Sequence, residues 1–171
     1  MPKVVILGSA SAIPDKQHEN THLAIATHDG VVLVDTGGNP IVRLAEAGLD
    51  LMQVTDLILT HFHPDHVSGL APFIMNSWLL GRTAPLTIHG LAYTLDRVEK
   101  LMGFYEWKAW PDMYPVMFHR FADTELCEVV ANPSLKISAS PVKHMIPNIG
   151  LRIEFLESGD VAAYSCDTEP C

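Results

Sequence analysis

The chain opens with short apolar runs rich in Val and Ile, each broken by small or polar residues. "KVVILGSA", Lys3 to Ala10, and "THLAIATHDGVVLVDTGG", Thr21 to Gly38, read as strands, because the runs are too short and too β-branched for helices. The second stretch breaks at His28-Asp29-Gly30, a turn of the Asp-Gly kind, so it reads as two strands of a hairpin. The period then changes. In "NPIVRLAEAGLD", Asn39 to Asp50, residues Ile41, Leu44, Ala45 and Leu49 fall on one helical face and Gly48 stands near the end, which predicts a helix. A strand at "TDLILT", Thr55 to Thr60, is followed by helices over "GLAPFIMNSWLLGR" and "LAYTLDRVEKLMGFYEW", with a strand "PLTIHG" between them. The last third, "FHRFADTELCEVVANPSLKISASPVKH", "IGLRIEFLESG" and "DVAAYSCDT", alternates in strand fashion, with turns at Asn132-Pro133 and Ser158-Gly159-Asp160. Strands, then helix, then strands again predict an α/β fold in layers, with helices packed outside sheets.

Composition narrows the class. At 171 residues, 48% of them hydrophobic, the chain is long enough for one domain with its own core. No apolar run approaches the roughly 18 residues of a membrane span, and the start, "MPKVVILGSASAIPD", lacks a signal-peptide cleavage pattern. Cys127, Cys166 and Cys171 are an odd number without CxxC spacing, which fits a reducing compartment and thiols that are buried or incidental. A soluble, cytoplasmic protein is expected, with no membrane partner. The net charge is −9 and the 11 Lys and Arg are scattered singly, so a long nucleic acid would be repelled and a small-molecule substrate is favoured. Bound divalent cations would reverse the local field, which keeps a single phosphodiester acceptable.

The chemistry concentrates in "THFHPDHVSG", Thr60 to Gly69, where three histidines and an aspartate follow a strand. His61 and His63, two apart in an extended turn, can converge on one cation; Asp65 and His66, adjacent, can reach a second beside it. Imidazole with carboxylate suits Zn²⁺ best, with Fe and Mn as substitutes, and the lack of a nearby thiolate argues against a structural zinc clamp. The bland alternative is a histidine-rich turn cap. The density of donors at a strand end speaks against it.

His61-Phe62-His63-Pro64-Asp65-His66 resembles the HxHxDH signature of the metallo-β-lactamase superfamily. "ILGSASAIP", "VLVDTGG", "THFHPDHVSGL", "VKHMIPNIGLRIE" and "YSCDTEPC" fall in the order of the motifs of its ribonuclease Z-like branch, so the resemblance runs from Val4 to Cys171. It implies a four-layer αββα sandwich with two metal ions at one edge of the sheets, and hydrolysis by a metal-bridging hydroxide. His61, His63 and His144 would bind the first metal, Asp65 and His66 the second, and Asp167 would bridge them. Asp65 is placed to orient the hydroxide or take its proton, the catalytic role. Asp35 would hold a ligand histidine by its other ring nitrogen, and Gly37 and Gly38 would give the backbone room beside the site, unless they are simply a turn. His18, His22, His28, His89 and His119 lack such spacing and are expected to be structural or surface residues.

Two departures from the family pattern bear on function. Only 23 positions separate His144 from Asp167, enough for two strands and a turn but not for the long arm with which ribonuclease Z clamps transfer RNA. No histidine follows His144, whereas similar proteins continue to a last histidine that completes the second metal site. Residues 1–171 are therefore expected to form the N-terminal part of a metallo-β-lactamase-like domain, leaving apolar faces uncovered. A homodimer, or a second polypeptide completing the domain, would be the associated partner. The functions carried forward are a dinuclear zinc hydrolase of small phosphodiesters, a lactone, thioester or sulfate-ester hydrolase, and a catalytically silent metal-binding module. The aromatic stretch "GFYEWKAWPDMY", Gly103 to Tyr114, is either core or a substrate lid over the metals.

Overall fold

The opening apolar runs fold as β1 (Lys3–Gly8), β2 (His22–Thr27) and β3 (Gly30–Val34) in a computed structural model that describes residues 2–170. β2 and β3 pair antiparallel through the two-residue turn His28-Asp29, and Gly30 follows at φ 140°, an angle that a side chain would resist. Beyond β3 the pairing becomes parallel: β4 (Val54–Ile58), β5 (Leu86–Leu91) and β6 (Val116–Phe121) complete a six-stranded sheet in the order β1-β2-β3-β4-β5-β6. Parallel neighbours need crossovers, which are supplied by α1 (Pro40–Glu46), by the one-turn α2 (Pro64–Val67) with α3 (Leu70–Leu79), and by α4 (Ala92–Gly103).

Two helices are shorter than their periodicity predicts. α1 stops at Glu46, Gly48 turns the chain at φ 69°, and Leu51–Gln53 forms a separate 3-10 turn in which the Asp50 carboxylate accepts from the Met52 amide. α4 ends at Gly103 and the left-handed Glu106 (φ 49°) breaks the path before a 3-10 turn at Trp107–Ala109.

The last third makes a second, antiparallel sheet of β7 (Cys127–Ala131), β8 (Leu135–Val142), β9 (Asn148–Phe155) and β10 (Val161–Tyr164), ordered β10-β9-β8-β7. One core lies between the first sheet and the helices, around Leu33, Leu57, Phe73, Ile88 and Leu95; the other fills the space between the sheets, around Ile25, Val34, Ile58, Ile137, Leu151 and Ile153. The described residues thus build the α, β and β layers of an αββα sandwich. On β8 and β9 the positions alternating with that second core are Lys136, Ser138, Ser140, Val142, Asn148, Gly150, Arg152 and Glu154. The outer face of these two strands is therefore mostly polar.

Of the two readings of Gly103–Tyr114, core or substrate lid, the structure supports the core. β6 runs parallel to β5, so the chain from α4 to β6 returns to the N-terminal ends of the strands, opposite the histidine loop at the C-terminal end of β4. Trp107 and Tyr114 belong to the helix-side core, the Trp110 ring lies 5.0 Å from that of Trp78, and Phe104 is 85% exposed.

Candidate metal centre

Four strand ends meet at one edge of the sandwich. β3 leads into Asp35 and β4 into the His61–His66 loop; across the gap β8 leads to His144 and β10 to Asp167. Parallel pairing of β3 with β4 puts the first two loops side by side, and β8 and β10, both antiparallel to β9, end on the same side of their sheet. Backbone bonds knit the loops together: Asp35 N–H to Ile58 O at 2.8 Å, Thr36 N–H to His66 O at 2.7 Å and Gly69 N–H to Thr36 O at 2.7 Å. Close approach demands glycine. A Cβ on Gly37 would stand 2.1 Å from the carbonyl oxygen of Asp65, and Gly38 sits at φ 60°.

All six residues singled out as candidate ligands come together here, in two groups whose donor atoms lie within 4.8 Å of one another: His61, His63 and His144, and Asp65, His66 and Asp167. In the first, His63 Nδ1 is 3.0 Å from His61 Nε2 and 3.2 Å from His144 Nε2, and the three rings stand at 77° to 81° to each other. Zinc–nitrogen bonds of roughly 2.0–2.1 Å in a tetrahedron place ligand nitrogens roughly 3.3 Å apart, so this spacing fits one cation. In the second group, His66 Nε2 is 3.6 Å from Oδ2 of both Asp65 and Asp167. Asp167 is grouped with Asp65 and His66 rather than with the three histidines. The groups adjoin through the His61 and His66 rings, 4.1 Å apart. An imidazole and two carboxylates suit a harder divalent ion or a second zinc, so both donor sets fit the metals that the sequence implies.

Behind the donors, Asp35 is fully buried at φ 60° and its carboxylate accepts from His66 Nδ1 at 2.8 Å, Thr60 N–H at 2.8 Å and Thr60 Oγ1 at 2.8 and 3.0 Å. That commits His66 Nδ1 as a donor and leaves Nε2 to face Asp65 and Asp167. The Thr60 hydroxyl proton goes to Asp35, so its lone pair receives His61 Nδ1–H at 3.1 Å and His61 Nε2 is left free to bind. Burial, with the neighbouring His66 charge, pushes His61 down to about 4, which keeps it an unprotonated donor at neutral pH. His66 is shifted the other way. Burial opposes its charge, but the Asp35 hydrogen bond and the charges of Asp35, Asp65 and Asp167 outweigh that and raise it.

The Metallo-beta-lactamase superfamily profile matches residues 18–120. The chain belongs to that superfamily. It is 29% identical over 145 residues to the ribonuclease Z of Bacteroides fragilis, covering 85% of this chain and 47% of that protein. It is also 29% identical to the ribonuclease Z of Mycobacterium marinum, covering all of this chain and 64% of that one. The chain spans about half to two thirds of the length of these relatives. Among solved structures, human tRNase Z, short form, shares the fold at a TM-score of 0.82 and 17% identity, over 98% of this chain and 69% of that one.

Membership of the superfamily gives the HxHxDH loop its context, but two residues at the centre escaped the sequence reading. Thr60 ties Asp35 to His61; its position directly before His61 was the available signal. Cys166, expected to be a buried or incidental thiol, puts Sγ 3.2 Å from Thr60 Oγ1 and 3.8 Å from His61 Nδ1, and groups with His61 and His66 as a third set of convergent donors. Burial first, then the Asp35 charge, pushes its thiol up to about 12, so it stays a neutral S–H that donates to Thr60. Cys171 lies outside the described residues. His22 is fully buried at the start of β2, 2.8 Å from Asn20 O through Nδ1.

Proposed function

We propose that this chain forms the metal-holding part of a dinuclear metal-dependent hydrolase that cleaves a phosphodiester in a small substrate. The observation that carries this reading is the pair of adjoining donor sets, three histidines beside Asp65, His66 and Asp167. His61, His63 and His144 would hold one divalent ion, Zn²⁺ by donor type, and Asp65 and His66 the other, with Asp167, which lies in the second set, as the residue that would bridge them. When bound, such a pair supplies hydroxide at neutral pH and polarises the oxygen of the scissile group. The residues of the chain do the rest. The Asp65 carboxylate oxygen orients the attacking water and accepts its proton. Asp35 fixes the His66 ring, and Thr60 fixes that of His61, so both present Nε2 without a search over tautomers. The net charge of −9 disfavours long polyanions and favours a substrate bearing a single phosphodiester.

Cleavage of bis(p-nitrophenyl) phosphate tests this reading. Turnover should appear with added Zn²⁺ or Mn²⁺, exceed that of a p-nitrophenyl carboxylic ester and vanish with chelator; metal-independent or ester-preferring activity would sink the idea. An RNA substrate is the second reading, favoured by relatives named ribonuclease Z. Efficient processing of a precursor transfer RNA at physiological salt would put it first.

A further inference from the structure

Away from the metal centre, a second set of convergent imidazoles lies on strands that carry no motif. His89 on β5 and His119 on β6 are direct partners in the parallel register, with rings 5.1 Å apart at 86° and Nδ1 atoms 2.9 Å apart. His89 is buried, and its Nε2 is 2.8 Å from Oδ1 of Asp56 on β4. These residues share the face of the first sheet that looks toward the second, since Ile58 pairs with His89, and Leu91 and Phe121, two residues further along, enter the core between the sheets. His119 lies on edge strand β6 and is exposed, so the pair is open to solvent on one side.

We propose that His89 and His119 form a second, peripheral binding site for a divalent transition metal, with Asp56 as the carboxylate that orients His89. The Asp56 hydrogen bond holds the proton of His89 on Nε2 and turns the lone pair of Nδ1 toward His119, the arrangement that metal-binding histidines share. The Nδ1–Nδ1 distance of 2.9 Å is close to the roughly 3.3 Å edge of a tetrahedral zinc site, and a small rotation of the exposed His119 ring supplies the difference. Without metal, His119 Nδ1–H donates to His89 Nδ1, a neutral bond beside solvent that adds little. Burial, with His89 alongside, lowers His119 below the ordinary histidine value, so its lone pair is available at neutral pH. Two imidazoles with water in the remaining positions select Zn²⁺, Ni²⁺ or Cu²⁺ over Mg²⁺ or Ca²⁺. A bound ion would clip the edge strand β6 to β5.

The test counts zinc. Protein stripped of metal and dialysed against Zn²⁺ should hold one equivalent more as wild type than as His119→Ala or His119→Gln, while both variants keep the hydrolytic activity of the wild type. In a ¹⁵N-histidine spectrum, Zn²⁺ added after the metal centre is filled should move the Nδ1 signals of His89 and His119. Asp56→Ala should weaken that last equivalent by roughly 10- to 100-fold. Equal zinc content in wild type and His119 variants, or Nδ1 signals unmoved at millimolar Zn²⁺, would show a hydrogen-bonded pair only and overturn the proposal.

Discussion

The molecule carries two histidine clusters, each braced by an aspartate, and they differ in how the chain assembles them. At the strand-end edge, Asp35 holds His66 at 2.8 Å; on the sheet face, Asp56 holds His89 at the same 2.8 Å. The edge cluster draws its donors from three separate segments, residues 61–66, His144 and Asp167, and places them in loops that can converge from both sheets. The face cluster is limited to what neighbouring strands present, one side chain per strand in register. Loops can surround an ion, whereas a flat sheet face can offer it only one side. On the reading proposed above, the edge serves chemistry on a substrate and the face serves as a clip.

Substitution separates the clusters most sharply at the donors. His63→Ala should bring hydrolysis of bis(p-nitrophenyl) phosphate to background while His119→Ala leaves it unchanged; parallel loss in both would merge the two clusters into one functional unit. Asp35→Ala comes next. It strands the Thr60 N–H, the Thr60 hydroxyl and His66 Nδ1 in a fully buried place, so we expect about 3 kcal/mol of lost stability in denaturant melts. A fall of roughly 10- to 100-fold in metal affinity should accompany it. An Asp35→Ala protein of wild-type stability would contradict the network.

The matching change on the face, Asp56→Ala, should cost only about 1 kcal/mol, because one hydrogen bond to a partly exposed carboxylate is lost. A loss as large as that of Asp35→Ala would erase the contrast between edge and face. Smallest of all is Cys166→Gly. Release of the left-handed strain at φ 56° and loss of the thiol's packing should nearly cancel, to within about 1 kcal/mol, with hydrolysis unchanged. A marked drop in activity or zinc content would make the thiol a working part of the centre.

Legibility differs between the clusters for a physical reason. His61, His63, Asp65 and His66 are close in sequence, so no tertiary knowledge is needed to see that they can converge. His144 and Asp167 were reached only through the resemblance, which supplied the order of motifs. The pairing of His89 with His119, 30 residues apart, depends on the register of two parallel strands, and nothing local marks it. Cys166 escaped because its nearness to His61 depends on how the end of β10 meets the end of β4, across two sheets.

By itself the sequence determined the alternation of strands and helices, the position of the HxHxDH loop and the donor types that favour zinc. These follow from periodicity and from covalent closeness, which survive without a fold. The tertiary structure alone decided which strands are neighbours, that the aromatic stretch 103–114 packs at the end opposite the histidine loop, that the outer face of β8 and β9 is mostly polar, and which imidazoles face one another. Such features rest on long-range contacts, where one residue of register moves a side chain from one face of the sheet to the other.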